Sequence, residues 1–82
     1  MAQTTPNIWD QLVQDVTEVL TRMGGSAHQT VVVDCVAAMH RQRGEPVNDL
    51  PQMIVQALEH YRDLFFRPFG EGSQRWALAG FA

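Results

Sequence analysis

The chain contains no lysine, and its six basic residues are all arginines: Arg22, Arg41, Arg43, Arg62, Arg67 and Arg75. Arginine offers a planar fork suited to phosphate or guanine, although a GC-rich genome produces the same bias. There is one cysteine, Cys35, so no internal disulfide can form and the fold cannot depend on one. No apolar run approaches the ~20 residues that a membrane-crossing helix needs. The opening Met1-Ala2-Gln3-Thr4-Thr5-Pro6 has neither a basic start nor an apolar stretch, so it does not read as a signal peptide. The cytoplasm is the expected location. No glycine-rich phosphate loop follows a strand, no paired carboxylates sit in a plausible cleft, and Cys-x-x-Cys-type zinc spacing is missing. A domain this small has little room for a substrate pocket. Together these absences exclude the usual routes to catalysis, and we expect no enzyme, cofactor, metal, membrane partner or small-molecule substrate.

What is present is a chain of 82 residues, 45% hydrophobic, enough for one packed core and one domain spanning residues 1–82. The formal charge of −3 counts against a generally basic surface. Its distribution is uneven. Asp10, Asp15 and Glu18 fall within residues 1–21 with no base to offset them, whereas the remaining carboxylates and the six arginines balance. The acidity belongs to the first helix.

Apolar periodicity predicts three helices. The first covers residues 6–23, with Thr5 as N-cap and Pro6 in the first turn; Ile8, Leu12, Val16, Val19 and Met23 form its stripe. Gly24-Gly25 ends it. The second covers 27–43 behind a Ser26 cap and stops at Gly44, with Val32, Cys35, Val36 and Met39 on one face. Val31-Val32-Val33 could start a strand, but the helical phasing decides for helix. After the proline break at Pro46, the third helix covers 49–63, and Asp49 with Gln52 has capping-box spacing. Residues 64–78 then read as a β-hairpin: Leu64-Phe65-Phe66-Arg67-Pro68-Phe69, the turn Gly70-Glu71-Gly72-Ser73, and the return Gln74-Arg75-Trp76-Ala77-Leu78. An arginine on each arm is expected to point away from the aromatic face.

Three helices followed by an arginine-bearing hairpin that closes on Trp76-Ala77-Leu78 resemble the winged helix-turn-helix superfamily. Within it, Phe66-Arg67, Gly72 and Trp76-Ala77-Leu78 are similar to the ending of HARE-type helix-turn-helix domains. The resemblance covers roughly residues 7–78 and implies an α+β winged helix-turn-helix fold. Where such domains often open the third helix with Thr-Pro, this chain has Asp49-Leu50-Pro51. Members typically set the third helix in the major groove and the wing against the DNA backbone or minor groove. Others have become protein docking modules.

On that pattern the candidate DNA-contacting residues are Asn48, Gln52, Gln56, Arg62, Arg67 and Arg75. Glutamine can pair bidentately with adenine, and Gln52 and Gln56 lie one helical turn apart. The bland alternative is a solvated helix face, because Glu59 and Asp63 share it. For Arg67 and Arg75 the alternatives are phosphate contact and pairing with Glu71 or stacking over Phe69. Arg41 and Arg43 complement the dipole of the second helix. Cys35 reads as a small core residue, and His28 as a helix-start residue making one hydrogen bond. Phe65, Phe66, Phe69, Trp76 and Phe81 exceed what such a core needs, so at least one should be exposed, beside arginine, as at protein interfaces. The leading expectation is therefore a regulatory binder of double-stranded DNA that reaches useful affinity as a homodimer or with a protein partner. The runner-up is a protein–protein interaction module without DNA binding. If Glu59 and Asp63 neutralise the arginines locally, the runner-up gains.

Overall fold

The computed structural model describes residues 8–80. Three helices, α1 (Ile8–Arg22), α2 (Gln29–Arg43) and α3 (Leu50–His60), pack against three strands, β1 (Ser26–His28), β2 (Phe65–Phe66) and β3 (Arg75–Leu78). The strands form one antiparallel sheet in the order β1-β3-β2, giving a small α+β domain. The expected Thr5 cap, the Pro6 start and Phe81 lie outside the described residues.

Helix α1 buries Leu12, Val16, Val19 and Leu20, whereas Ile8 and Met23, at the ends of the expected stripe, are exposed. Gly24 and Gly25 take φ of 85° and 105°, and Gly25 N–H bonds the Leu20 carbonyl at 2.8 Å. This left-handed exit terminates the helix as two glycines should. It also delivers the chain extended beside β3. Ser26 therefore does not cap α2: it pairs with Ala77 as the first residue of a strand that local propensity did not reveal. His28 caps instead, its Nδ1 accepting from Thr30 N–H at 3.1 Å. The valine run is helical, with Val32 and Val36 fully buried, and Cys35 is half-buried against the core.

Two expectations for α3 are corrected. Asp49 sits at φ 61° without a side-chain capping bond, so the capping box with Gln52 does not form. The helix stops at His60 rather than Asp63. Tyr61 leaves helical geometry, and its carbonyl accepts from both Leu64 and Phe65 N–H at 3.0 Å. That turn carries Phe65 into β2, where it is 1% exposed. Spacing alone was misleading here, because Tyr61, Leu64 and Phe65 fit the helical stripe as well.

The hairpin core is shorter than 64–78: only Phe65–Phe66 pairs with β3, through Leu78 and Ala77. Trp76 and Ala77 are both buried, so alternation along β3 breaks down. Trp76 meets the helices and donates its indole N–H to Gln29 Oε1 at 3.1 Å. Ala77 faces the other way but lies at the centre of the sheet, flanked by Ser26 and Phe66. Among the described residues, no helix is long and apolar enough to cross a membrane.

Candidate functional site

Helix α3 sends Leu50, Ile54, Ala57 and Leu58 into the core and leaves Gln52, Gln56 and Glu59 on its exposed side. Their four- and three-residue steps place these polar groups one above another. The Gln52 and Gln56 side chains make no hydrogen bond among the described residues, so both amides are available. Asn48 is exposed in the turn leading into the helix. Just beyond the helix, Arg62 is exposed and donates through Nε to the Glu59 carbonyl at 3.3 Å. Arg75 is exposed on β3, with Nε donating to Ser26 Oγ at 3.2 Å on neighbouring β1. Neither arginine has a carboxylate partner among the described residues.

Arg67 departs from expectation. It turns inward, its guanidinium carbon 4.4 Å from the centre of the Trp76 ring. Nη2 pairs with Glu59 Oε2 at 3.0 Å and Nη1 donates to the Glu71 carbonyl at 3.3 Å. The stacking partner is thus Trp76 rather than Phe69, and Glu71 contributes backbone rather than its carboxylate. Strand alternation explains this: Phe65 points in, Phe66 out, and Arg67 in again. The guanidinium lies over the indole face while its Nη2 reaches Glu59. Glu59 therefore neutralises one of the two hairpin arginines.

A second cluster was not anticipated. Asp15 is 3% exposed, although it comes from the helix that holds the chain's excess of acidic residues. Arg43 grips both of its oxygens, Nη1 to Oδ1 at 3.2 Å and Nη2 to Oδ2 at 2.7 Å. Gln11 Nε2 donates to Oδ1 at 3.1 Å. Arg43 also reaches Glu45 Oε1 through Nε at 3.0 Å. Hydrogen bonds to Asp15, and then to Glu45, raise the guanidinium pKa further above its ordinary value. Buried His40 lies beside this pair, with Nε2 3.4 Å from Asp15 Oδ2 and Nδ1 3.1 Å from the Pro46 carbonyl. The cluster ties α1 to the end of α2 and takes Arg43 out of the pool free to meet phosphate. Asp15 stands three residues after Leu12 and four before Val19, which put it on the buried stripe; its position within that stripe was the available signal.

The hairpin exposes apolar surface. Phe69 is 73% exposed, Phe66 46% and Leu64 42%. Two open grooves lie on either side of Glu59. One, about 560 Å³, runs between the end of α3 and the hairpin over Leu58, Phe65 and Trp76, with Arg62 and Arg67 among its lining. The other, about 530 Å³, is lined by Trp9, Gln56, Glu59, His60 and Tyr61. Among the described residues, no three His, Cys, Asp or Glu side chains converge on a position where they could hold a metal ion. Comparison of the chain with protein-family models, curated proteins and solved structures gives no match.

Proposed function

We propose that this chain is a non-catalytic winged-helix module that contacts duplex DNA through α3, with a cytoplasmic site of action. Gln52 and Gln56 probe base edges in the major groove, and Asn48 sits at the leading end of the helix. Arg62 and Arg75 meet backbone phosphates. The observation that carries this reading is the exposed pair of glutamines, one turn apart and without partners, on the face of α3 turned away from the core. The fold assignment draws support from α2 and α3, joined by a short turn and followed by two antiparallel strands with a loop between them. Arg67 leaves the contact set, because Glu59 and Trp76 already hold it.

With two arginines on phosphate, binding is weak and a dimer or partner is needed for useful affinity. Fluorescence anisotropy of a labelled random-sequence duplex, titrated at two salt concentrations, tests the proposal. Two phosphate contacts give a log–log slope near −1.8, or about a 12-fold loss of affinity for a fourfold rise in salt. Failure to bind at ~100 µM protein and low salt would fall below ordinary non-specific affinity and overturn the proposal.

A second reading is favoured by a different observation. The Arg67–Glu59 pair lowers the positive potential of the wing, and Phe66, Phe69 and Leu64 lie exposed beside it. That combination suits a protein docking surface. The same titration separates the two, since a docking module leaves the duplex unbound.

A further inference from the structure

The groove at the meeting of α1 and α3 has a composition unlike that of its neighbour across Glu59. Trp9 reaches it from the first turn of α1, and Gln56, Glu59 and His60 from the last turns of α3; Tyr61 follows directly. The His60 and Tyr61 rings stand nearly perpendicular, 82° apart with centroids at 5.3 Å. Trp9 and Tyr61 are both half-buried against the core, so their rings are held rather than free. No arginine lines this groove, whereas Arg62 and Arg67 line the other. Glu59 stands between the two, engaged by Arg67 through Oε2 only. Its Oε1 has no hydrogen-bond partner among the described residues.

Aromatic faces attract cations through the ring quadrupole, and the attraction is strongest for weakly hydrated ones. A strongly hydrated ammonium prefers water, whereas an alkylated one sheds its shell easily. Two anchored π systems with a carboxylate at the rim therefore select charge and bulk together. We infer that this groove binds an alkylated ammonium group, either as a free quaternary amine or as a trimethylated lysine. Trp9 and Tyr61 supply the aromatic lining, and Glu59, whose charge is shared with Arg67 through Oε2, supplies its second oxygen, Oε1.

The test is an NMR titration of the full, nitrogen-15-labelled chain, followed at the Trp9 indole N–H. The Trp76 indole, bonded to Gln29 and lining the other groove, is the internal control. Choline, its uncharged isostere 3,3-dimethyl-1-butanol, and paired lysine and trimethyllysine peptides are the probes. Choline should shift the Trp9 signal to saturation in the millimolar range, with the isostere ~10-fold weaker or more. Choline should also move the backbone N–H signals of His60 and Tyr61, and in Trp9→Leu those shifts should be abolished. Should that variant fold poorly, Glu59→Gln leaves the rings in place and should weaken choline several-fold. A trimethyllysine peptide that binds more tightly than choline assigns the natural source to a modified protein; equal affinity assigns it to a free amine. Equal binding of choline and the isostere, no saturation, or a response confined to Trp76 would overturn the inference.

Discussion

Replacing Arg43 by methionine probes how α1 and α2 are held together. The substitution keeps the helix-forming chain and much of the stem but removes the only arginine bound to Asp15 among the described residues. Asp15 is then left 3% exposed with Gln11 and His40 nearby and no guanidinium facing it. Breaking a fully buried pair costs about 3–5 kcal/mol, and an exposed pair about 0–1 kcal/mol. Here the carboxylate side chain is 4% exposed and the guanidinium 34%, so the pair falls between these limits. A loss of ~2 kcal/mol is expected, with the solvent-facing half of the pair accounting for the discount. For a domain of this size each kcal/mol moves Tm by about 4–8 °C, which gives a fall of ~8–16 °C in a circular-dichroism melt.

The companion variant makes the argument specific. Asp15→Asn removes the buried charge while keeping shape, so Arg43→Met on that background should cost less than on its own. A coupling of ~1 kcal/mol or more between the two sites is expected. If Arg43→Met melts within ~2 °C of the parent, or if the two losses simply add, Asp15 is not the charge that Arg43 compensates.

Three further outcomes follow from the packing. Trp76→Ala should cost ~3–5 kcal/mol and unfold so small a domain, whereas Trp76→Phe, which loses the bond to Gln29, should melt only several degrees lower; equal melts would contradict the core assignment. Gly44 ends α2 at φ 74°, so Gly44→Ala should destabilise by ~1 kcal/mol in urea titration, and an unchanged midpoint would remove the left-handed cap from the account. Arg67→Ala should lower Tm by a few degrees through lost stacking and pairing yet leave the salt slope of DNA binding unchanged; Arg62→Ala with Arg75→Ala should do the reverse.

Much of the helical framework was legible because α1 and α2 each carry an apolar stripe closed by glycine, whereas α3 has a stripe but no glycine or proline where it stops at His60. The misreadings at Ser26, Phe65 and Arg67 share one cause: local chemistry was outvoted by partners distant in sequence. Ser26 has the composition of a cap, but β3 offered it a ladder some fifty residues later in the chain. Asp49 and Gln52 have the right spacing, but the turn from Val47 sets Asp49 at positive φ, where its side chain makes no capping bond. Tyr61, Leu64 and Phe65 satisfy both periods, and only the sheet decides between them. At the candidate site, Gln52 and Gln56 needed no more than helical spacing to be found. Arg67 needed knowledge of where Glu59 and Trp76 lie once α3 and the hairpin meet. Asp15 and Arg43 are 28 residues apart, and nothing in either neighbourhood names the other.

The central claim is that the outer face of α3 meets DNA, and chemical-shift mapping tests it most directly. Nitrogen-15-labelled protein would be titrated with an unlabelled duplex while the side-chain amides of Gln52 and Gln56 and the Nε–H groups of Arg62, Arg67 and Arg75 are followed. The account predicts perturbations concentrated at Gln52, Gln56, Arg62 and Arg75, with Arg67 little changed. An unperturbed α3 face, or shifts confined to Phe66 and Phe69 on the hairpin, would contradict it.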